Sequence, residues 1–150
     1  MITLAITTTE GRLGLLTRTL TSLIKNTGNV YKGIIINDNS CNSDNCTGIS
    51  DLVSQFSQNF LILRNGTNNG QVEGIDNIYK LVNTKYILHL EDDWEFYNGD
   101  FIEKSIDVLE SERKITNVSV RQRDTFEASS QHPVHGPFFT QSGTEYYKYY

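Results

Sequence analysis

The sequence contains no cluster of basic residues, and its 150 residues carry a formal net charge of -5. Nucleic acids and anionic membranes are recognised mainly through patches of Lys and Arg, so neither is an expected partner. No apolar run approaches the length of a membrane span, and the polar opening segment is unlike a signal peptide. We therefore expect a cytoplasmic protein.

Cysteine is also scarce: the sequence has two, Cys41 and Cys46, and both lie in a polar loop. No His or further Cys stands beside them, which argues against a zinc site, and without export signals reduced thiols are expected. The chain shows neither internal repeats nor low-complexity tracts. Its length fits one domain that can bury a core.

What the chain does contain is a regular alternation of strand-like and helix-like segments. Short apolar or β-branched runs predict strands, and apolar residues recurring every three or four positions predict helices. Asp100 with Glu103 predicts a capping box, and alternation over 116–121 predicts a further, half-buried strand. No pattern is evident after Arg123. The predicted strands are 2–8, 33–36, 60–63 and 86–90, and the apolar stripes of the helices span 13–24, 49–56, 72–82 and 102–109.

This order predicts an α/β fold, with a Rossmann-like, mostly parallel sheet and helices on both faces. Ligands of such sheets bind beyond the carboxyl ends of the strands. Polar residues follow all four predicted strands there, so we expect them to share one edge. They are Thr7, Thr8 and Thr9; Asn37 and Asp38; Arg64 and Asn65; and Glu91, Asp92 and Asp93.

Three consecutive carboxylates, Glu91, Asp92 and Asp93, end the fourth strand. Adjacent carboxylates repel one another and lose hydration at a crowded strand end, which favours a bound cation. The alternative is a solvated acidic turn that follows a core strand.

The chain resembles the nucleotide-binding half of GT-A glycosyltransferases, particularly family 2. Ile2–Thr9 with the Leu13–Leu23 stripe matches the opening strand and helix of such enzymes. Ile36-Asn-Asp-Asn-Ser40 matches their Val-Asp-Asp-Gly-Ser motif, and Asn68-Asn-Gly-Gln-Val-Glu-Gly-Ile-Asp76 resembles an Asn-x-Gly-x-x-x-Ala-x-Asn pattern. Glu91-Asp92-Asp93 is similar to the Asp-x-Asp metal motif (DxD). The four motifs occur in the family's order.

The resemblance implies an inverting glycosyltransferase that moves a hexosyl-type sugar from a nucleotide-diphosphate sugar to the hydroxyl of a carbohydrate or glycoconjugate acceptor. Asp38 would accept a hydrogen bond from the base, and Thr7 would line the same pocket. Asp92 would face the ribose and sugar, while Asp93 would coordinate Mn2+ or Mg2+. Arg64 would meet a phosphate; the alternative is that Arg64 is a solvated surface residue. The nucleotide-sugar-binding set is then Thr7, Thr8, Thr9, Asp38, Arg64, Glu91 and Asp92.

Several residues depart from the family pattern. Glu91 stands where Asp is usual, and Asn37 removes a carboxylate from the second motif. Gly74 and Asp76 replace the expected Ala and Asn. These departures bear on nucleotide preference more than on the fold.

Within a single domain, 1–121 would be the nucleotide-binding part and 122–150 a short acceptor-side or irregular tail. Glu145 precedes an aromatic cluster and is the candidate catalytic base. The alternative makes Glu145 a surface residue, with the acceptor half supplied elsewhere.

Two other functions fit the same residues. A sugar-phosphate nucleotidyltransferase also pairs such a sheet with acidic metal ligands, but it would need a Gly-rich, basic loop after the first strand, and Glu10-Gly-Arg-Leu-Gly14 has two glycines. The second of these functions is that of a module that binds a nucleotide sugar without turning it over.

Overall fold

The computed structural model describes residues 1–40, 42–120 and 134–149. Backbone contacts divide the chain into two compact units, Met1–Tyr97 and Asn98–Tyr150. The sequence had suggested a functional boundary at residue 121, and that subdivision stays a prediction. Every residue of the candidate cleft lies in the first unit.

The first unit is built on a four-stranded parallel sheet with the order β3-β2-β1-β4. The parallel α/β fold predicted from the alternating pattern is therefore confirmed. Because all four strands are parallel, their carboxyl ends lie at one edge of the sheet, with those of β1 and β2 in the middle. The strands are β1 (Ile2–Thr8), β2 (Tyr31–Asp38), β3 (Phe60–Arg64) and β4 (Ile87–Glu91).

The four helices occur where apolar periodicity predicted them, with shifted ends. Leu16, Leu20 and Leu23 of the first helix are fully buried, and Gly28 ends that helix with a φ of 63°, a backbone conformation that suits glycine. The second helix begins earlier than predicted, because Asn42 caps it by accepting the Asp44 backbone N–H. The helices are α1 (Leu13–Thr27), α2 (Ser43–Val53), α3 (Gln71–Tyr79) and α4 (Phe101–Ser111).

Apolar residues cover both faces of the sheet. Ala5 and Ile35 form a cluster with Ile78 of α3 on one face. Leu4 and Ile6 flank Ala5 along β1, so their side chains point to the opposite face, where both are fully buried. The sheet is thus a rigid layer that fixes the positions of its polar carboxyl ends.

The second unit differs from the sequence prediction in three ways. Residues 116–120 form no strand, which makes that prediction wrong for the described residues, and Arg121 lies outside them. Asp100 makes no capping hydrogen bond; its carboxylate pairs with Lys104 instead, so the capping box is also wrong. Part of the segment predicted to be irregular forms an antiparallel hairpin, β5 (Val134–Phe139) and β6 (Glu145–Tyr149).

The hairpin is tied to α4 by polar side chains. The hydroxyls of Thr140 and Ser142 donate to one carboxylate oxygen of Asp107, and Tyr146 and Lys148 donate to Glu112. No helix in the described residues is long and apolar enough to span a membrane. Cys46 is a free thiol, and Cys41 lies outside the described residues.

Candidate functional site

The strand register brings the predicted edge residues side by side. Thr7 is the Cα partner of both Asn37 and Glu91, and Thr8 is the partner of Asp38. A cleft of about 340 Å3 opens at this edge. Its lining combines hydroxyls, amides, two carboxylates and one guanidinium: Thr7, Thr8, Thr9, Arg12, Asn37, Asn39, Asn68, Gly70, Gln71, Gly74, Glu91 and Asp92.

Five of the predicted site residues therefore line the cleft: Thr7, Thr8, Thr9, Glu91 and Asp92. Asp38, Arg64 and Asp93 belong to the same edge but do not line it. Glu145 lies in the second unit.

Arg12, which the sequence reading overlooked, holds the acidic end of β4. Its Nη2 lies 2.6 Å from Asp92 Oδ1, and its Nε lies 2.8 Å from the same oxygen and 3.0 Å from Oδ2. The same Nη2 lies 3.0 Å from Asp93 Oδ2. Hydrogen bonding to Asp92, followed by its negative charge, raises the pKa of Arg12 above its ordinary value, so the guanidinium stays cationic.

Asp92 is further fixed by threonines. It is 2% exposed, and Thr8 Oγ1 donates to its Oδ2 at 2.6 Å. Thr19, on the buried side of α1, donates to the backbone carbonyls of Asp92 and Trp94 at 2.9 and 2.7 Å. Helix α1 therefore sets the conformation of the acidic turn as well as covering the sheet.

The acidic turn offers oxygen donors that suit a divalent cation. Among residues 1–40, 42–120 and 134–149, no three His, Cys, Asp or Glu side chains are grouped to hold a metal. However, Asp92 and Asp93 converge on one cation, the Arg12 guanidinium. Mg2+ is commonly held by one or two carboxylates together with substrate phosphates, and Mn2+ prefers the same donors. The pair fits such an ion in donor chemistry, on condition that Arg12 shares or releases the carboxylates.

Asp38 makes its hydrogen bonds within the protein. It is fully buried, and its Oδ1 accepts from Asn45 Nδ2 at 2.9 Å and from the Ser40 backbone N–H at 3.2 Å. Its Oδ2 accepts from the Cys46 thiol at 3.0 Å, and this bond is the largest cause of the raised pKa of Cys46. The base contact predicted for Asp38 stays a prediction, and this geometry gives it no direct access to the cleft.

Two other predicted residues also have protein partners. Arg64 Nη2 donates to Ser50 Oγ at 2.7 Å on α2. Glu91 Oε1 accepts from Gln71 Nε2 at 2.7 Å, which connects the end of β4 to the first turn of α3. Glu91 therefore serves as a wall of the cleft, whereas the phosphate contact of Arg64 stays a prediction.

A network of asparagine amides forms another wall of the cleft. Asn65 Nδ2 donates to Oδ1 of both Asn37 and Asn39 at 3.1 Å. Asn39 Nδ2 donates to Asn68 Oδ1 at 3.0 Å, and Asn39 Oδ1 also accepts the Asn69 backbone N–H at 3.0 Å. Neutral amides in fixed orientations can recognise the edges of a planar heterocycle.

The amide of Asn37 is incompletely satisfied. The residue is fully buried, and its Nδ2 has no hydrogen-bond partner within the described part of the chain. An unpaired buried donor costs about 1–3 kcal/mol. Gly74 lies against this amide: a Cβ at position 74 would be 3.1 Å from Asn37 Oδ1 and 3.6 Å from Thr7 Cγ2.

Glu145, the predicted catalytic base, begins β6. Its carboxylate accepts the Tyr147 hydroxyl at 2.7 Å, and its side chain is exposed. This contact fits either role that the sequence left open, so the assignment stays a prediction.

Arg12 and the orientation of Asn37 are the features that the sequence reading missed. Arg12 lies where the chain leaves β1, at the edge that carries the acids, and that position was a usable signal. No sequence signal showed which of the neighbours Asn37 and Asp38 faces the cleft.

Comparison with known proteins supports this reading of the fold. The family model described as Glycosyl transferase family 2 matches residues 5–149. Two crystal structures of S. aureus TarS 1-349, one in complex with UDP-GlcNAc, match at TM-scores of 0.59 and 17% identity. The matches cover 81% of this chain but 39% and 37% of the TarS chains, so this chain spans under two fifths of their length. No curated protein gives a significant match.

Proposed function

The chain belongs to glycosyltransferase family 2 and has a GT-A type α/β fold, and from this premise we propose that its cleft binds a nucleotide-diphosphate sugar for transfer of the sugar to an acceptor hydroxyl. One observation carries the proposal. Hydroxyls, amides, carboxylates and a guanidinium converge on a single cleft at the carboxyl edge of a parallel sheet, where such folds bind ligands. Binding of UDP-GlcNAc by TarS, which shares the fold, supports the same ligand class.

The two walls of the cleft suit different parts of such a donor. Arg12 supplies positive charge beside Asp92, and a guanidinium pairs well with phosphate oxygens. The amides of Asn37, Asn39 and Asn68 supply neutral hydrogen bonds. We assign the diphosphate to the Arg12 wall and the nucleoside to the amide wall; Thr7, Thr8 and Thr9 add hydroxyls to the lining.

Asp93, with Asp92, would hold Mn2+ or Mg2+. When bound, such an ion neutralises charge that builds up on the leaving diphosphate. The Arg12 guanidinium is positively charged, as the ion would be, and it contacts the same two carboxylates. We therefore propose that Arg12 turns from Asp92 and Asp93 toward the phosphates when donor and cation bind, which leaves both carboxylates for the cation.

Transfer requires a base that removes the proton of the acceptor hydroxyl. We keep Glu145 as the candidate for an inverting transfer of a hexosyl-type sugar to a carbohydrate or glycoconjugate. The Tyr147 hydroxyl orients its carboxylate. Glu145→Gln keeps the shape of the side chain and removes its basicity, so the variant should lose transfer and retain donor binding.

A second candidate function is a nucleotide-sugar-binding module without turnover. Its support is that the chain spans under two fifths of the length of the TarS structures that it matches. The metal-dependent nucleotidyltransferase gains no support, because the family match is to glycosyltransferases.

A donor-turnover assay separates these functions. Nucleotide-diphosphate sugars are incubated with the chain and Mn2+, with and without added sugar acceptors, and the released nucleotide and the new glycoside are measured. A transferase forms glycoside that disappears in Glu145→Gln. Slow hydrolysis without glycoside, unchanged in the variant, indicates a donor-binding part whose open site admits water. Binding without release of nucleotide indicates a binding module.

A further inference from the structure

A groove of about 370 Å3 runs along helix α1, and its lining shares no residue with that of the cleft. We call it the α1 groove. One side consists of α1 side chains, and the other is the segment 95–97, which follows the acidic turn. All of its lining residues belong to the first unit. The residues that α1 contributes are Arg18, Thr21, Ser22, Lys25 and Asn26.

Hydrogen bonds hold the two sides of the α1 groove together. The backbone N–H of Phe96 donates to Ser22 Oγ at 3.1 Å, and Asn26 Nδ2 donates to the Phe96 carbonyl at 2.9 Å. The side chain of Phe96 is buried. The α1 groove therefore has walls that the fold itself positions.

Two cations lie on the α1 side of the groove. Arg18 and Lys25 are seven residues apart, so they lie on the same face of the helix, about 10 Å apart along its axis. Both are exposed, and neither pairs with a carboxylate within residues 1–40, 42–120 and 134–149. Glu95 is the one acid among the described lining residues. The groove thus carries an excess of positive charge, although the net charge of the chain is -5.

A structural role accounts for only one of these cations. Lys25 lies in the last turn of α1, where a positive charge suits the helix dipole. Arg18 lies in the middle of the helix, and its Nη2 donates to the Asp93 carbonyl at 3.3 Å. A guanidinium has five N–H donors, so most of those of Arg18 stay available to an anion.

An exposed aromatic ring lies on the other side of the groove. The Tyr97 side chain is 83% exposed, which is unusual for so large a ring. The face of such a ring can pack against the apolar face of a sugar, while its hydroxyl can form a hydrogen bond. The exposed hydroxyl of Thr21 adds a further donor and acceptor. Cations, a ring face and a hydroxyl together suit a carbohydrate that bears negative groups.

We propose that the α1 groove is a second binding site, which holds an acidic glycan, a carbohydrate chain with carboxylate or phosphate groups. Arg18 and Lys25 pair with its anionic groups, and Tyr97 packs on a sugar ring. The chain belongs to a glycosyltransferase family, which favours a glycan over an acidic peptide as the occupant. No bond of the glycan is made or broken in the groove. Its binding there needs no nucleotide sugar in the cleft and so goes beyond the proposed function.

The test is a calorimetric titration with defined probes at low ionic strength. The acidic glycans are tetragalacturonate, which carries carboxylates, and a phosphorylated mannose oligosaccharide. Maltotetraose is the neutral carbohydrate, and tetraglutamate is the acidic peptide. The variants are Arg18→Gln, Lys25→Gln and Tyr97→Ala, each checked for folding by a circular-dichroism melt. Lys32→Gln removes the same charge at an exposed position on β2, outside the lining of the groove.

We expect the wild type to bind at least one acidic glycan saturably and about tenfold more tightly than maltotetraose or tetraglutamate. Arg18→Gln and Lys25→Gln should each lower that affinity about threefold to tenfold, as the loss of one hydrogen bond does. Tyr97→Ala should lower it too, and Lys32→Gln should behave as the wild type. Added salt should weaken the binding.

The proposal is overturned if neither acidic glycan binds, or if all three groove variants bind as the wild type does. Equal binding of tetraglutamate would replace the glycan with an acidic peptide, and an equal loss in Lys32→Gln would reduce the effect to net charge. If one groove variant does not fold, the other two decide by the same criteria. Titration of UDP is a separate readout for the cleft, so failure of the glycan titration leaves the proposed function standing.

Discussion

Arg12 and Asp92 form a bidentate ion pair at the carboxyl edge of the sheet, with Nη2 2.6 Å from Oδ1 and Nε 3.0 Å from Oδ2. Asp92 is buried, whereas the Arg12 side chain is 37% exposed. The protein thus compensates the charge of its own acidic turn and leaves part of the compensating cation facing the cleft. Among the described residues that line the cleft, Arg12 is the one cation, so a diphosphate that enters the cleft would pair with it.

Removal of Arg12 should affect both stability and ligand binding. Arg12→Ala leaves buried Asp92 with Thr8 as its remaining side-chain donor, so we expect a loss of about 1–3 kcal/mol in the free energy of unfolding. The affinity for nucleoside diphosphates should fall, with little change for nucleosides. Arg18→Ala is the matched control, since Arg18 reaches only the Asp93 backbone carbonyl, at 3.3 Å, in the described structure. Equal behaviour of the two variants in denaturation and titration would contradict this role of Arg12.

The metal assignment predicts a selective effect of Asp93. Nucleoside diphosphate affinity should rise when Mn2+ is added, and Asp93→Asn should abolish most of that rise because a neutral amide is a weaker ligand for a hard cation. The fold should persist, since the Asp93 side chain is 45% exposed. Asp51→Asn, an exposed acid on α2, provides the control for charge. A wild type whose affinity is the same with and without Mn2+ would end the metal assignment.

Asp38 should act chiefly through stability. Asp38→Ala deprives Asn45, Ser40 and Cys46 of a buried acceptor, and we expect a loss of about 1–3 kcal/mol in chemical denaturation. Because Asp38 does not line the cleft, uridine affinity of the folded variant should stay close to that of the wild type. A tenfold loss of uridine affinity would instead support the base contact expected from the sequence.

The stability of the fold should decrease at mildly acidic pH through His89. Burial lowers the pKa of His89 from its ordinary value of 6.5, and its Nδ1 lies 2.8 Å from the Tyr79 hydroxyl. Between the folded and unfolded pKa values the unfolded chain binds more protons, so the free energy of unfolding falls as the pH drops below about 6.5.

Melting temperatures at about pH 7.5 and about pH 5.5 test this effect. The decrease should be larger in the wild type than in His89→Gln, because the carboxylates titrate in both proteins and the histidine titrates in one. Identical decreases would show that His89 does not contribute.

The central sheet was predictable because its strands are short, apolar and separated by helical stripes. The hairpin was not, since β5 contains Gly136 and Pro137, residues that favour turns, and its side chains are mostly exposed. The strand predicted at 116–120 failed for the converse reason: alternation of polar and apolar residues predicts a strand only where a partner strand is available.

The position of the site at the carboxyl edge of the sheet was predictable from the sequence, but the contacts among its side chains were not. Asn37 lines the cleft and Asp38 does not, and the sequence does not show which of these neighbours would. The pairing of Arg12 with Asp92 joins residues 80 positions apart, and it depends on how α1 packs against the acidic turn.

The most direct test of the account is calorimetric titration of the wild-type chain with nucleotide-diphosphate sugars in the presence of Mn2+, repeated with Arg12→Ala. The account predicts saturable binding of at least one such donor, with one site per chain, and a marked loss of affinity in the variant. Absence of saturable binding to every donor tested, or binding that Arg12→Ala leaves unchanged, would contradict it.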